Sequence, residues 1–177
     1  MEAIPDRVLT AISFAARRHA GQVRKDGVTP YVAHPMRVLF ILRHVFGVAD
    51  PDALMAAVLH DVIEDTTADR DAVNERFGGT VGTYVALLTK DKRLLEDERE
   101  EDYVRQLAQA PALVKLCKLA DTLDNLIDVI GLKDAAKHKA AVKARRLIEV
   151  FTPSLSPAHD EALAHVRAQI EVVERSS

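Results

Sequence analysis

Between Asp50 and Thr66 the chain reads DPDALMAAVLHDVIEDT, an apolar run that passes directly into four ionisable side chains within six residues. Asp50 followed by Pro51 is an N-cap with proline at the first helical position, so a helix is expected from Pro51 to about Asp65. Over Ala53–Leu59 it is apolar nearly all round, which suits the centre of a helical assembly and little else. At 3.6 residues per turn His60 and Glu64 share one column, and Asp61 and Asp65 the adjacent one. Asp61 also continues the apolar stripe of Leu54 and Val58. An unpaired carboxylate facing the interior is costly, so Asp61 is expected to be paired or metal-bound.

The rest of the chain agrees with a helical interior. Of 177 residues, 48% are hydrophobic but only 5% aromatic, with 7 Gly and 7 Pro. Few turn-formers and abundant Ala, Leu and Val argue against a sandwich or barrel. Helices are expected at Pro5–Ala20, from Pro35 (core face Val38, Leu39, Ile41, Leu42, Val45), at Asp69–Phe77 and Thr80–Lys90, at Glu96–Gln109, from Pro111 to Ile130 with Gly131 as C-terminal cap, and at Lys133–Phe151 and Pro157–Glu174. The loop GQVRKDGVTPYVAHP is the one long stretch without helical period. The expected fold is all-α, an orthogonal bundle of about 8–9 helices with no strand. A single domain over 1–177 is expected, with a motif-bearing core of about 8–150 and a C-terminal helix near 157–174.

Charge and cysteine content narrow the function. The formal net charge of −3 gives no general attraction to nucleic acid. Residues 51–102 carry 14 Asp/Glu against 6 Lys/Arg, partly in the run Glu96 to Asp102, which reads as a solvated helix face. One cysteine, Cys117, excludes a disulfide scaffold and a thiolate zinc cluster, and is expected to fill core. The longest uncharged run, Phe77 to Thr89, is 13 residues, too short to span a bilayer. The start MEAIPDR lacks the basic, apolar pattern of a signal peptide, so a cytoplasmic setting is expected.

Two further clusters join HDVIEDT. In KLADTLDN, residues 118–125, Asp121 continues the stripe of Val114 and Cys117 inward, and Asn125 follows one turn later. In the loop RKDGVTPYVAHP, His34 precedes Pro35, which biases its backbone toward extended geometry and lets it project from the mouth of the helix. His34, His60, Asp61 and Asp121 together offer two imidazoles and two carboxylates from three segments. That set suits one divalent ion such as Mn²⁺, Fe²⁺ or Zn²⁺. Glu64 and Asp65 are placed to orient or deprotonate an attacking water, and Arg24, Lys25, Lys90 and Lys92 can neutralise phosphate oxygens. His19 is expected to pack or cap the first helix. His44, His138, His159 and His165 read as surface residues, and Lys133–Arg146 as a solvated face.

In this order and at these separations, RKDGVTPYVAHP, HDVIEDT and KLADTLDN resemble the HD-type hydrolase domain of the RelA/SpoT stringent-response enzymes, from about residue 8 to 150. Without a synthetase or regulatory region, the chain is similar to the small alarmone hydrolases of the metazoan SpoT-homologue type. The resemblance implies removal of the 3′-pyrophosphate from guanosine alarmones (p)ppGpp with Mn²⁺. It implies His34, His60, Asp61 and Asp121 as metal ligands, Glu64 and Asp65 for water activation, and Arg24, Lys25 and Asn125 as substrate contacts. After Asn125 the family commonly has Arg and then Thr, whereas this chain has Ile127 and Asp128. Another phosphorylated nucleotide, such as NADPH losing its 2′-phosphate, and a non-catalytic nucleotide-binding module are the alternative functions.

Overall fold

The computed structural model describes residues 5–176; residues 1–4 of the MEAIPDR start, and residue 177, lie outside them. Among the described residues the α-helical segments are α1 (Asp6–Arg18), α2 (Ala33–Phe40), α3 (Pro51–Leu59), the single turn α4 (Val62–Asp65), α5 (Arg70–Phe77), α6 (Gly79–Leu88), α7 (Glu96–Gln109), α8 (Ala112–Asp128), α9 (Asp134–Phe151) and α10 (Asp160–Arg175). No strand occurs among them, and the fold is all-α. None of these helices is long and apolar enough to cross a membrane.

α3 is the central element. The Asp50 carboxylate accepts a hydrogen bond from the Ala53 amide at 2.8 Å, with Pro51 opening the helix. Every residue from Ala53 to Leu59 is buried. α3 packs against α1, α2, α6 and α8, while α8 also meets α2, α9 and α10. Leu54, Met55 and Leu59 of α3 and Leu116, Leu119 and Leu126 of α8 are among the largest fully buried side chains. Each contributes about 1.5–3 kcal/mol by leaving water. The two helices that bring carboxylates inward are therefore also those most firmly fixed by burial.

Three local expectations are corrected. The central helix does not run unbroken to Asp65: it stops at Leu59, and His60 and Asp61 form a turn before α4. The Ala57 carbonyl, which a continued ladder would offer to the Asp61 amide, accepts from His60 Nδ1 at 2.8 Å. Next, His34 is not extended. α2 begins at Ala33, so His34 and Pro35 both lie in its first turn. There the missing proline N–H costs nothing, and the Tyr31 carbonyl that it would have met accepts from the His34 amide at 2.9 Å.

The preceding loop has structure of its own. Arg24 and Tyr31 amides bond the Thr29 and Gln22 carbonyls, a hairpin-like closure turned by Asp26, whose carboxylate accepts from the Val28 and Thr29 amides. Gly27 at its tip has φ +77°, a backbone that glycine adopts without strain. Finally, Gly131 does not form a left-handed cap; α8 winds down through a 3-10 turn, Val129–Gly131.

The acidic run and the basic stretch, each expected to be a solvated face, meet one another. Glu96, Glu100 and Glu101 of α7 pair with Lys139, Lys143 and Arg146 of α9 at 3.9, 3.2 and 2.7 Å. Exposed pairs contribute about 0–1 kcal/mol each, so they set orientation more than stability. Cys117 is buried, as expected, and its thiol faces the Ala53 carbonyl at 3.4 Å.

Removing the Asp50 cap orphans the first amides of α3. Asp50→Ala is expected to lower unfolding stability by about 1 kcal/mol, read as a shift of the urea midpoint at unchanged slope.

Candidate metal centre

The interrupted central helix, the first turn of α2 and the middle of α8 converge on one point. One ligand atom each from His34, His60 and Asp121 lies within 4.8 Å of the others, and all three residues are buried. Asp61 completes the group. Its Oδ2 lies 3.1 Å from His60 Nε2 and 3.7 Å from His34 Nε2, while Asp121 Oδ1 lies 3.1 Å from His34 Nε2 and 3.7 Å from His60 Nε2. The structure thus brings together all four residues that the sequence offered as ligands.

The outer nitrogens decide what the inner ones present. His60 Nδ1 faces the Ala57 carbonyl, which can only accept, so Nδ1 carries the proton and Nε2 turns a lone pair inward. His34 Nδ1 faces Asp124 Oδ2 at 2.6 Å. His60 Nε2 is buried and has no hydrogen-bond partner among the described residues. Two imidazole nitrogens and two carboxylates therefore point at a shared centre.

Burial opposes charge on the His60 ring, yet Asp61 and Asp121 outweigh it and hold its pKa well above the usual histidine value, so the centre draws positive charge, whether a proton on the ring or a cation in its place. Burial likewise resists ionisation of Asp121, but Lys118 and the two histidines keep its carboxyl far below the ordinary range. Lys118 Nζ donates to Asp121 Oδ2 at 2.7 Å, and Asn125 Nδ2 donates to Oδ1 at 2.6 Å. With one of two carboxylates balanced by Lys118, the centre retains negative charge beside two imidazoles, each a nitrogen donor once its inner proton gives way to a metal. That donor set fits a divalent cation.

Glu64 and Asp65 stand one turn beyond, on α4. Glu64 Oε2 accepts from the Lys90 amide at 3.1 Å, and Asp65 Oδ1 accepts from Lys92 Nζ at 3.0 Å. Lys92 also donates to the Glu64 carbonyl. Lys92 thus lies against the acidic pair with its ammonium, whereas Lys90 meets it with its backbone amide and turns its ammonium to Glu100 of α7 at 2.7 Å. Arg24, Lys25 and Asn125 line one cleft of about 220 Å³ beside the centre, together with Arg37 and Asp128. Within it Arg24 donates to Asp128 Oδ2 at 2.7 and 3.0 Å and to Asn125 Oδ1 at 3.1 Å. The acidic run Glu96–Asp102 does not line this cleft.

Four residues of the site were not singled out from sequence. Tyr31 donates its hydroxyl to Asp61 Oδ2 at 2.5 Å, Lys118 binds Asp121, and Arg37 grips Asp124 behind His34. The available signal was spacing: Lys118 and Asp124 are three residues either side of Asp121, and Arg37 is three beyond His34. His19 packs, as expected: it is buried, stacks on Tyr31 with ring centres 4.8 Å apart, and donates from Nδ1 to Gln22 Oε1 at 2.7 Å. His44, His138 and His165 are exposed, and His159 is half-buried.

The HD domain family profile matches residues 11–154. Guanosine-3′,5′-bis(diphosphate) 3′-pyrophosphohydrolase MESH1 of Homo sapiens is 44% identical over 124 residues, spanning 70% of this chain and 69% of that protein. The MESH1 protein of Drosophila melanogaster is 41% identical over 124 residues, with the same coverage of 70% and 69%. A solved metazoan orthologue of SpoT, described as hydrolysing ppGpp and playing a role in starvation responses, superposes with a TM-score of 0.83 at 30% identity, over 99% of this chain and 97% of that one. A helical core that aims two imidazoles and two carboxylates at one point, with these relatives, makes this chain a member of the HD-domain family within the RelA/SpoT superfamily.

Proposed function

We propose that this chain is a metal-dependent phosphohydrolase, acting as a single domain, that removes the 3′-pyrophosphate from guanosine alarmones (p)ppGpp to give GDP or GTP and pyrophosphate. One observation carries the metal half of this reading. The buried His60 Nε2 has no hydrogen-bond partner among the described residues and faces a carboxylate 3.1 Å away, an arrangement that calls for a cation between them. The substrate half is supported by the likeness to proteins that bear this activity in their names.

His34, His60, Asp61 and Asp121 would hold the ion, and two imidazoles with two carboxylates suit Mn²⁺. Bound there, a divalent ion supplies a Lewis acid for a phosphate oxygen and makes water a better nucleophile. The chain's own side chains do the rest. Tyr31 fixes Asp61 through its hydroxyl, and Lys118 with Asn125 fixes Asp121, so the ligand oxygens keep their directions. Glu64, oriented by the Lys90 amide, and Asp65, held by Lys92, receive the proton from the attacking water. Water adds across the 3′-phosphoester, freeing the 3′-hydroxyl and pyrophosphate. Arg24, Lys25 and Asn125 in the adjoining cleft bind phosphate and ribose oxygens. Asp128 competes with phosphate for Arg24 and Arg37, which makes NADPH a comparison substrate worth including.

Metal-stripped protein restored with Mn²⁺ is expected to convert ppGpp and pppGpp to GDP or GTP and pyrophosphate, and to leave NADPH unconverted, by product chromatography. Release of phosphate from NADPH alone would overturn the substrate assignment, and binding of ppGpp without products would make the chain a sensor. His60→Ala and Asp121→Ala are expected to lose both bound metal and turnover. The double variant Glu64→Gln, Asp65→Asn is expected to retain metal while kcat falls about 10²–10⁴-fold. Full turnover in that variant would remove the acidic pair from the mechanism.

A further inference from the structure

Behind His34 lies a set of ionised groups that the proposed chemistry does not use. Asp124 is buried on the face of α8 toward α2, its side chain 1% exposed, as is that of His34. Its Oδ2 accepts from His34 Nδ1 at 2.6 Å. Arg37, one turn beyond His34 on α2, closes on the same carboxylate as a two-pronged fork, Nε to Oδ1 at 2.6 Å and Nη2 to Oδ2 at 2.9 Å. The same Nη2 reaches Asp128 Oδ1 at 2.6 Å, and Asp128 binds Arg24 in the cleft.

An ion pair between the buried Asp124 and the half-exposed Arg37 would satisfy both charges without the histidine. The third bond has a separate consequence. A neutral imidazole can carry its proton on either nitrogen, and at His34 both sides offer an acceptor. Asp124 Oδ2 waits at Nδ1 at 2.6 Å, while Asp121 Oδ1 waits at Nε2 at 3.1 Å. A proton on Nε2 would bond to Asp121 and block the centre with a neutral N–H, turning a metal donor into a hydrogen-bond donor. Both carboxylates serve other donors, but the Asp124 oxygen lies 2.6 Å from Nδ1 against 3.1 Å for Asp121 from Nε2, and the Arg37 fork fixes Asp124 in that direction. The contest goes to Asp124.

From this we infer that Asp124 and Arg37 are positioning residues: they select the Nδ1–H tautomer of His34 and lock its ring, so that Nε2 faces the centre as a lone pair. The inference rests on the metal-binding reading above. Arg37 orients Asp124, Asp124 holds the proton on the outer nitrogen, and His34 thereby becomes a ligand. An outer carboxylate of this kind changes metal affinity by about 10–100-fold when it is removed.

The test uses the full chain, labelled with ¹⁵N-histidine, and two readouts. In metal-free protein, long-range ¹H–¹⁵N correlation reports which His34 nitrogen is protonated; in a separate titration, calorimetry reports Mn²⁺ affinity. The parent is expected to carry the proton on Nδ1. In Asp124→Asn, whose amide can turn its NH₂ toward the ring, the proton is expected to move to Nε2 and Mn²⁺ affinity to fall about 10–100-fold with the far-UV spectrum retained. Arg37→Gln, altered at a half-exposed side chain, is expected to show a smaller loss in the same direction, and it serves if the Asp124→Asn variant does not fold. A folded Asp124→Asn protein with parental tautomer and affinity would refute the inference, as would a parent already protonated on Nε2. A parent that binds no Mn²⁺ would instead overturn the metal reading, while the tautomer readout, taken without metal, still decides what Asp124 does to the ring.

Discussion

Two carboxylates turned into an apolar core are the constraint from which the rest of this structure follows. Asp61 and Asp121 sit at the ends of stripes that elsewhere carry Leu, Val and Cys, and burial alone would drive both toward their neutral forms. Three kinds of partner prevent that. Lys118 and Asn125 take the oxygens of Asp121, Tyr31 takes one of Asp61, and the His34 and His60 imidazoles face both across 3.1 to 3.7 Å. The remaining negative potential is concentrated where two nitrogen lone pairs meet. A cation is the chemical answer to that arrangement, and hydrolysis of a phosphorylated nucleotide is what a cation beside an acidic pair can perform.

The fold supplies the stiffness that such a centre needs. α3 and α8 lie deepest in the bundle, so the groups they carry cannot drift without disturbing close-packed side chains. Two departures from regular helix fall at the site itself. His60 diverts the Ala57 carbonyl and ends α3, which turns Asp61 and the acidic pair of α4 onto a new axis. His34 occupies a first helical turn where proline is tolerated and where a ring can be bonded on its outer edge to a neighbouring helix. Regularity gives way where side chains must be aimed.

The centre and the cleft beside it share one hydrogen-bonded chain of charges. It runs from Arg24 through Asp128 and Arg37 to Asp124, and ends on His34. Anionic groups in the cleft would meet arginines that already serve carboxylates, so the phosphate binding proposed there would be an exchange of partners rather than a simple addition. The acidic helix α7 lies outside this chain of charges: Glu96 and Glu101 pair with the basic face of α9, and Glu100 is shared between Lys143 of α9 and Lys90.

Much of this was legible in the sequence because it depends on local rules. Helical period, the Asp50–Pro51 start and the shortage of glycine and aromatics determined an all-α chain with Ala53–Leu59 at its centre. Stripe position alone marked Asp61 and Asp121 as inward, and three motifs picked out His34, His60, Asp61 and Asp121. What the sequence left undetermined is what depends on contacts between distant segments. The pairing of α7 with α9 joins charges far apart in the chain, Glu101 with Arg146 for example, and each run by itself reads as solvated. The break after Leu59 arises because a side chain outcompetes a backbone amide for one carbonyl. Asp124, Arg37 and Tyr31 gained their roles only when α2, the loop before it and α8 came together, since a hydrogen bond across 30 to 90 residues leaves no periodic trace in the chain.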